Sequence, residues 1–196
     1  MHEVGHYIGG KLSGYQLVFL QIGPGNLIGS RAGKLSFAIR KTKGAQCVML
    51  PPDKNPIRYR AYNLGGIVCN AVIMIGAFGL LFLKSHYATL ILIELFYAGA
   101  LKVVGNLFPR FHNGTPNDGY ILKLLKGKPS VQRDYAKYLA LYAAMFWEES
   151  VCVEDCFYER EPVENEEELL YYNATQELLS DLSSEKEIKK EVSNGY

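Results

Sequence analysis

The chain has little cysteine and, over most of its length, little acid. Four cysteines in 196 residues (Cys47, Cys69, Cys152 and Cys156) stand too far apart for a Cys-x-x-Cys zinc ribbon and are too sparse for a disulfide scaffold, so reduced thiols are expected. Cys152 and Cys156 share a helix face at i, i+4, but two ligands without a second pair do not make a metal site. The start lacks a basic stretch before an apolar one, and no signal peptide is expected. From Met1 to Trp147 there are 17 Lys and Arg but only 5 Asp and Glu, whereas from Glu148 to Tyr196 the numbers are 4 and 15. A basic, very apolar body should therefore give way, between residues 127 and 150, to an acidic tail. The basic residues lie among long apolar runs rather than on one helix or in an arginine-rich arm. That pattern argues against a nucleic-acid partner and for a lipid bilayer.

The scarcity of acid isolates Glu3, because the next carboxylate is Asp53 and the next glutamate Glu94. Glu3 sits inside His2-Glu3-Val4-Gly5-His6, a His-Glu-x-x-His pattern. On a helix, positions i and i+4 share a face, so His2 and His6 can present imidazole nitrogens to one metal ion. Glu3 lies on the flank of that face, where it can take a proton from a water at the metal without being a ligand. Two ligands of a catalytic zinc site and its general base thus occupy five residues, and the third ligand must come from far away. The longer metzincin pattern is met at Gly9 but fails at Leu12, where the third histidine belongs.

Val4 to Leu12 continues as a helix that should stop at Ser13-Gly14, since glycine is the usual C-terminal cap. Helix 1–14 rises only about 20 Å, less than the ~30 Å hydrocarbon core. A chain truncated at its N terminus, or started at an internal methionine, is the expectation. Residues 15–50 form a β region. Tyr15–Ile28, Gly33–Arg40 and Ala45–Leu50 are rich in branched and aromatic residues and are broken by Gly23-Pro24-Gly25 and by Gly29-Ser30-Arg31-Ala32-Gly33 turns. An exposed edge there could hold an extended peptide by strand addition. Pro51 to Arg60 reads as a proline-stiffened linker.

Leu64–Leu83 carries no charge over twenty residues, the length of a membrane span. Its small residues (Gly65, Gly66, Ala71, Gly76, Gly79) permit close helix approach, and Asn70 is its one strongly polar side chain. After the link Lys84–Tyr87, Ala88–Phe108 is long enough to return, with Glu94 and Lys102 inside it. The two spans are expected at about 61–83 and 87–108. Eight Lys and Arg against one Asp lie between Gly14 and Ala61, and four against one between Phe108 and Ser130. By the positive-inside rule both loops are cytoplasmic, which puts His2 and His6 within the membrane near that face. Pro116-Asn117-Asp118-Gly119 then returns Asp118 to the depth of His6, where its carboxylate suits the third ligand position. His112 is the competing ligand.

His2, Glu3 and His6, the Gly65-Gly66-x-x-x-Asn70 run, and Asn106-x-x-Pro109 followed by Asp118-Gly119 together resemble the site-2 protease family of intramembrane zinc metalloproteases, over residues 1 to about 126. The resemblance implies one zinc ion held by His2, His6 and Asp118 with water as fourth ligand, and Glu3 as base. It also implies that Asn70 stabilises the oxyanion or holds substrate. The chain departs from the family in three places. No segment precedes His2, no PDZ domain fits, and the gap from Pro109 to Asp118 is longer than the usual Asn-x-x-Pro-x-x-x-x-Asp-Gly.

Beyond residue 126, Tyr135, Tyr138, Tyr142 and Phe146 recur at helical spacing, as do Leu169, Tyr172, Leu179 and Leu182. Residues 127–182 are expected to form an acidic cytoplasmic helical hairpin, packed on itself and the membrane part and able to bind a cytoplasmic protein partner. Residues 183–196 should be disordered. Asn113-Gly114-Thr115 and Asn173-Ala174-Thr175 match the glycosylation pattern only by accident on that side of the membrane. The fold expected is a mainly α membrane protein: a three-helix intramembrane metalloprotease core, its first helix truncated, with a small β insertion and a C-terminal helical hairpin. The activity expected is hydrolysis of a peptide bond in or beside a transmembrane segment of a membrane-anchored protein or peptide. An inactive membrane adaptor of the same fold and a soluble zinc peptidase are the alternatives.

Overall fold

Glycine decides where the first helix ends and how closely it packs. In the computed structural model, which describes residues 1–23, 25–31, 34–40, 45–52, 57–83, 86–112, 115–147 and 165–181, helix α1 spans His2–Leu12. Gly14 then turns into the left-handed region at φ +86°. Tyr15 N–H bonds to Gly10 O at 2.9 Å and Gly14 N–H to Lys11 O at 3.1 Å, the double closure of a Schellman cap.

Helix α2 (Tyr59–Leu80) lies against α1 with backbone nearly touching backbone. A Cβ on Gly5 would strike Gly65 O, one on Gly65 would strike Gly5 O, and one on Gly9 would strike Ala61 O. Backbone atoms cannot swing aside as a side chain can, so Gly9→Ala should force the two helices apart. A loss of about 1–3 kcal/mol or more in unfolding free energy is expected, read as a lowered denaturation midpoint. Gly76 and Gly79, which also suggested close approach, meet nothing within 4 Å among the described residues.

Four antiparallel strands follow α1: β1 (Gln16–Gln21), β2 (Gly25–Arg31), β3 (Lys34–Arg40) and β4 (Gln46–Leu50). Their order is β3-β2-β1-β4, so β4 is an edge. The sequence stretch 15–28 is thus two strands. Gly29, Ser30 and Arg31, expected in a turn, instead pair with Ser36, Leu35 and Lys34. Central β1 is buried from Leu17 to Gln21, because helices cover both faces. Phe19 packs on Tyr142 and Phe146, while Met49, one residue past the Phe19 partner Val48 and so on the other face, reaches Gly10 of α1.

Helix α3 (His86–Leu107) returns beside α2, and Gly99 meets Met74 there. Tyr59–Leu80 and Thr89–Leu107 have mean hydropathies of 1.8 and 1.7 and are long and apolar enough to cross a membrane by length and composition. Only 6% of the α3 window is buried. Leu90, Ile91, Glu94, Tyr97 and Leu101 all face outward. The helix α2 begins earlier than the apolar run, at Tyr59, and Leu81–Leu83 continues it as a 3-10 turn.

Helix α4 (Asp118–Leu125) is short, and α5 (Pro129–Phe146) starts on a proline whose missing N–H costs nothing in a first turn. A 3-10 turn, Glu166–Leu169, leads into a last helix, α6, at residues 170–181. The division expected at residue 126 does not separate two cores. Val131, Tyr135, Leu139, Ala143 and Tyr171 share one buried cluster with Tyr15, Phe19 and Val48 of the sheet region. Cys152, Cys156, the Lys84-Ser85 link and the 183–196 tail lie outside the described residues.

Candidate metal site

Three side chains from two distant parts of the chain converge on one point. His2 Nε2 and His6 Nε2 are 3.0 Å apart. Asp118 Oδ2 is 3.1 Å from His2 Nε2, and Asp118 Oδ1 is 3.4 Å from His6 Nε2. Donors about 2.0 Å from a tetrahedral zinc lie about 3.3 Å from one another; the two imidazole nitrogens stand near that spacing, and one donor atom from each of the three residues lies within 4.8 Å of the others, close enough to share one ion. Asp118 Oδ2 is also a buried oxygen without a well-formed hydrogen bond, a state that a cation relieves. Among the described residues this is the one cluster of His, Cys, Asp and Glu side chains with metal-ligand spacing. The side chain of His112, the competing ligand, lies outside the described residues.

Helix α2 shapes the cluster from behind. A Cβ on Gly66 would stand 2.5 Å from both His2 Cε1 and His6 Nε2, so glycine is what lets both rings fold against α2. His6 Nδ1 is 2.8 Å from Tyr62 O. A carbonyl only accepts, so Nδ1 carries the proton and Nε2 keeps its lone pair for a metal. Asn70 lies 2.9 Å from His2 Nδ1. The nearest amide atom is Nδ2; a His2 that binds a metal through Nε2 carries its proton on Nδ1 and needs the amide turned over, with its oxygen accepting. Asn70 therefore supports His2 from behind and is not among the residues lining the cavity. The resemblance implied a part in stabilising the oxyanion or holding substrate; in the structure the Asn70 amide lies against the His2 ring. Replacing such a partner typically lowers metal affinity 10–100-fold. Asn70→Ala should do so by about that factor in a competitive zinc titration, with the helical signal unchanged.

Asp118 is placed by its neighbour. Asn117 caps α4, accepting from Tyr120 N–H at 2.9 Å and from Arg110 N–H at 3.0 Å. Its amide donates to Gly105 O and Phe108 O, both at 2.7 Å. One side chain thus ties the end of α3 to the start of α4 and leaves Asp118, at the first helical position, free to face the histidines. The long gap before Asp118 closes on itself. Phe111–His112 (β5) pairs with Thr115–Pro116 (β6), and Asn117 N–H bonds to Arg110 O at 3.0 Å. The described residues of the longer gap thus pair with one another, and Asp118 faces the two histidines. Gly119 fits beneath α3, where a Cβ would come within 2.7 Å of Asn106 O. Asn117 was not singled out from the sequence, although Asn is a preferred cap and stands directly before the helix.

The site opens into a cavity of about 320 Å³. Its lining includes His2, Glu3, His6 and Asp118, the β4 segment Ala45–Val48, Tyr62 and Asn63 of α2, and Ile121, Tyr135, Tyr138, Leu139 and Tyr171 from α4 to α6. Glu3 thus faces the same space as the ligands. Burial, followed by the charge of Glu3, pushes the Cys47 thiol up to about 12, so it stays protonated and is a poor ligand. Burial raises the Asp118 carboxyl, but the polar contact and charge of His2 and His6 outweigh it and hold the group below the usual carboxylate value. In the Asn173-Ala174-Thr175 pattern Asn173 is exposed, while Thr175 is buried and donates to Tyr171 O at 2.7 Å. No protein-family model matches the chain, and no curated protein or solved structure matches it.

Proposed function

We propose that this chain is a membrane-embedded zinc endopeptidase of the site-2 protease kind, hydrolysing a peptide bond within or next to a transmembrane segment of its substrate. The observation that carries the reading is the convergence of Asp118 on His2 and His6 across more than a hundred residues, with Glu3 lining the same cavity. Two long apolar helices beside that cluster support a multi-pass place in the cell membrane. The basic loops support a site near the cytoplasmic face.

His2, His6 and Asp118 would hold the zinc, which when bound supplies a Lewis acid and makes a water acidic enough to lose a proton near neutral pH. Glu3, on the cavity wall, would serve as the general base towards water and then as the general acid towards the leaving amide nitrogen. Tyr62 O holds the His6 imidazole in the tautomer that leaves Nε2 free, and Asn70 lies against Nδ1 of His2. The substrate must be extended at the cut, since a helix buries its carbonyls in its own ladder. The edge strand β4 runs along the cavity and suits an extended chain. Part of that edge is taken already, because Tyr62 OH donates to Cys47 O at 2.7 Å. The test is metal content and membrane partition of the purified chain. One zinc per chain in carbonate-resistant membranes is expected, and a carbonate-soluble or zinc-free chain would overturn the reading.

A further inference from the structure

The zinc cavity is bounded on one side by residues that no part of the protease motif accounts for. Tyr171, in α6, packs at a tilt against Tyr135 and Tyr138, with ring centroids 4.7 Å and 5.5 Å away. All three rings line the cavity together with Ile121 and Leu139. The acidic 3-10 turn before α6 is set on the basic α4–α5 corner, where Lys128 Nζ is 2.9 Å from Glu168 Oε1 and Lys123 Nζ is 3.9 Å from Glu167 Oε2. The second pair is exposed and contributes little. Leu179, fully buried, anchors the other end of α6. The acidic tail thus brings a tyrosine to the metal centre.

We infer that Tyr135, Tyr138 and Tyr171, with Ile121 and Leu139, form a side-chain subsite that receives an apolar or aromatic residue of the peptide next to the bond being cut. This rests on the peptidase reading above and names the substrate class it acts on. Aromatic faces and aliphatic side chains bury an apolar group well and offer no charge to a carboxylate or ammonium. The subsite is built from α4, α5 and α6 rather than from the His-Glu-x-x-His helix, and it shares α4 with Asp118.

Binding and cutting are separable in the test. The full-length, zinc-loaded chain in detergent is titrated with N-acetyl amino-acid hydroxamates, whose hydroxamate takes the metal and whose side chain is Gly, Leu, Phe or Asp. Wild type should hold the Leu and Phe compounds at least about 10-fold more tightly than the Gly compound, the lower end of what an apolar pocket discriminates. The Asp compound should gain nothing. In Tyr171→Ala the Leu-to-Gly ratio should fall towards one while the Gly affinity stays within about 2-fold, and Tyr171→Phe should keep the wild-type ratio. Tyr138→Ala, on a helix that does not depend on α6 for its start, gives a second reading if Tyr171→Ala does not fold. An unchanged ratio in either folded alanine variant, or equal wild-type affinity for Gly and Leu, would overturn the subsite. If the subsite stands and the wild type cuts no peptide, the peptidase reading fails alone.

Discussion

Glu3→Gln should keep its zinc and lose cleavage. Glutamine has the same shape as glutamate but no basic oxygen, and Glu3 lines the cavity without belonging to the ligand cluster. A positioned general base contributes about 10²–10⁴-fold to a hydrolytic rate, and a loss of that size in kcat is expected with zinc stoichiometry unchanged. The measurement pairs metal analysis with cleavage of a reporter containing a transmembrane segment, using equal amounts of the two proteins. Equal rates would show that Glu3 is not the base, and joint loss of zinc and activity would make it a ligand or structural residue.

Asp118→Ala should lose the metal itself. Two histidines on one helix face hold zinc weakly, and the third donor closes the set. Partners outside the ligand set are worth 10–100-fold in affinity, so removal of a direct ligand should exceed about 100-fold in a competitive zinc titration. The fold should survive, because the cap of α4 is Asn117 rather than Asp118. The melting temperature of the zinc-free variant should therefore stay close to that of zinc-free wild type. His112→Ala, in contrast, should keep its zinc, since Asp118 already lies within 3.4 Å of both imidazoles.

The parts of this molecule that are local in sequence were legible in it. His2 and His6 share a face because they are four apart, Gly14 ends the helix because only glycine adopts that φ without cost, and the two apolar helices follow from length and composition. Asp118 was reachable only through an argument about depth and loop charge, and the structure brings it to the histidines. What was hidden depends on contacts between distant segments. Nothing near Asn70 says that its amide meets His2, sixty-eight residues away. Nothing around Tyr171 points to the metal, and the spacing pattern of its helix singled out Tyr172 instead. The charge asymmetry was visible, but its meaning was divided. Part of the acidic segment meets the basic corner of the same chain, through Lys128 and Glu168, and so serves internal docking. The pairing of Phe111–His112 with Thr115–Pro116 was likewise hidden, since two-residue strands leave no periodicity to read.

The central claim is that His2, His6 and Asp118 bind one zinc ion. X-ray absorption at the zinc edge of the purified, metal-loaded full chain tests it most directly. The account predicts a first shell of nitrogen and oxygen at about 2.0–2.1 Å with the multiple-scattering signature of two imidazoles and no sulfur. A zinc–sulfur distance near 2.3 Å, three imidazoles, or no stoichiometric zinc would contradict it.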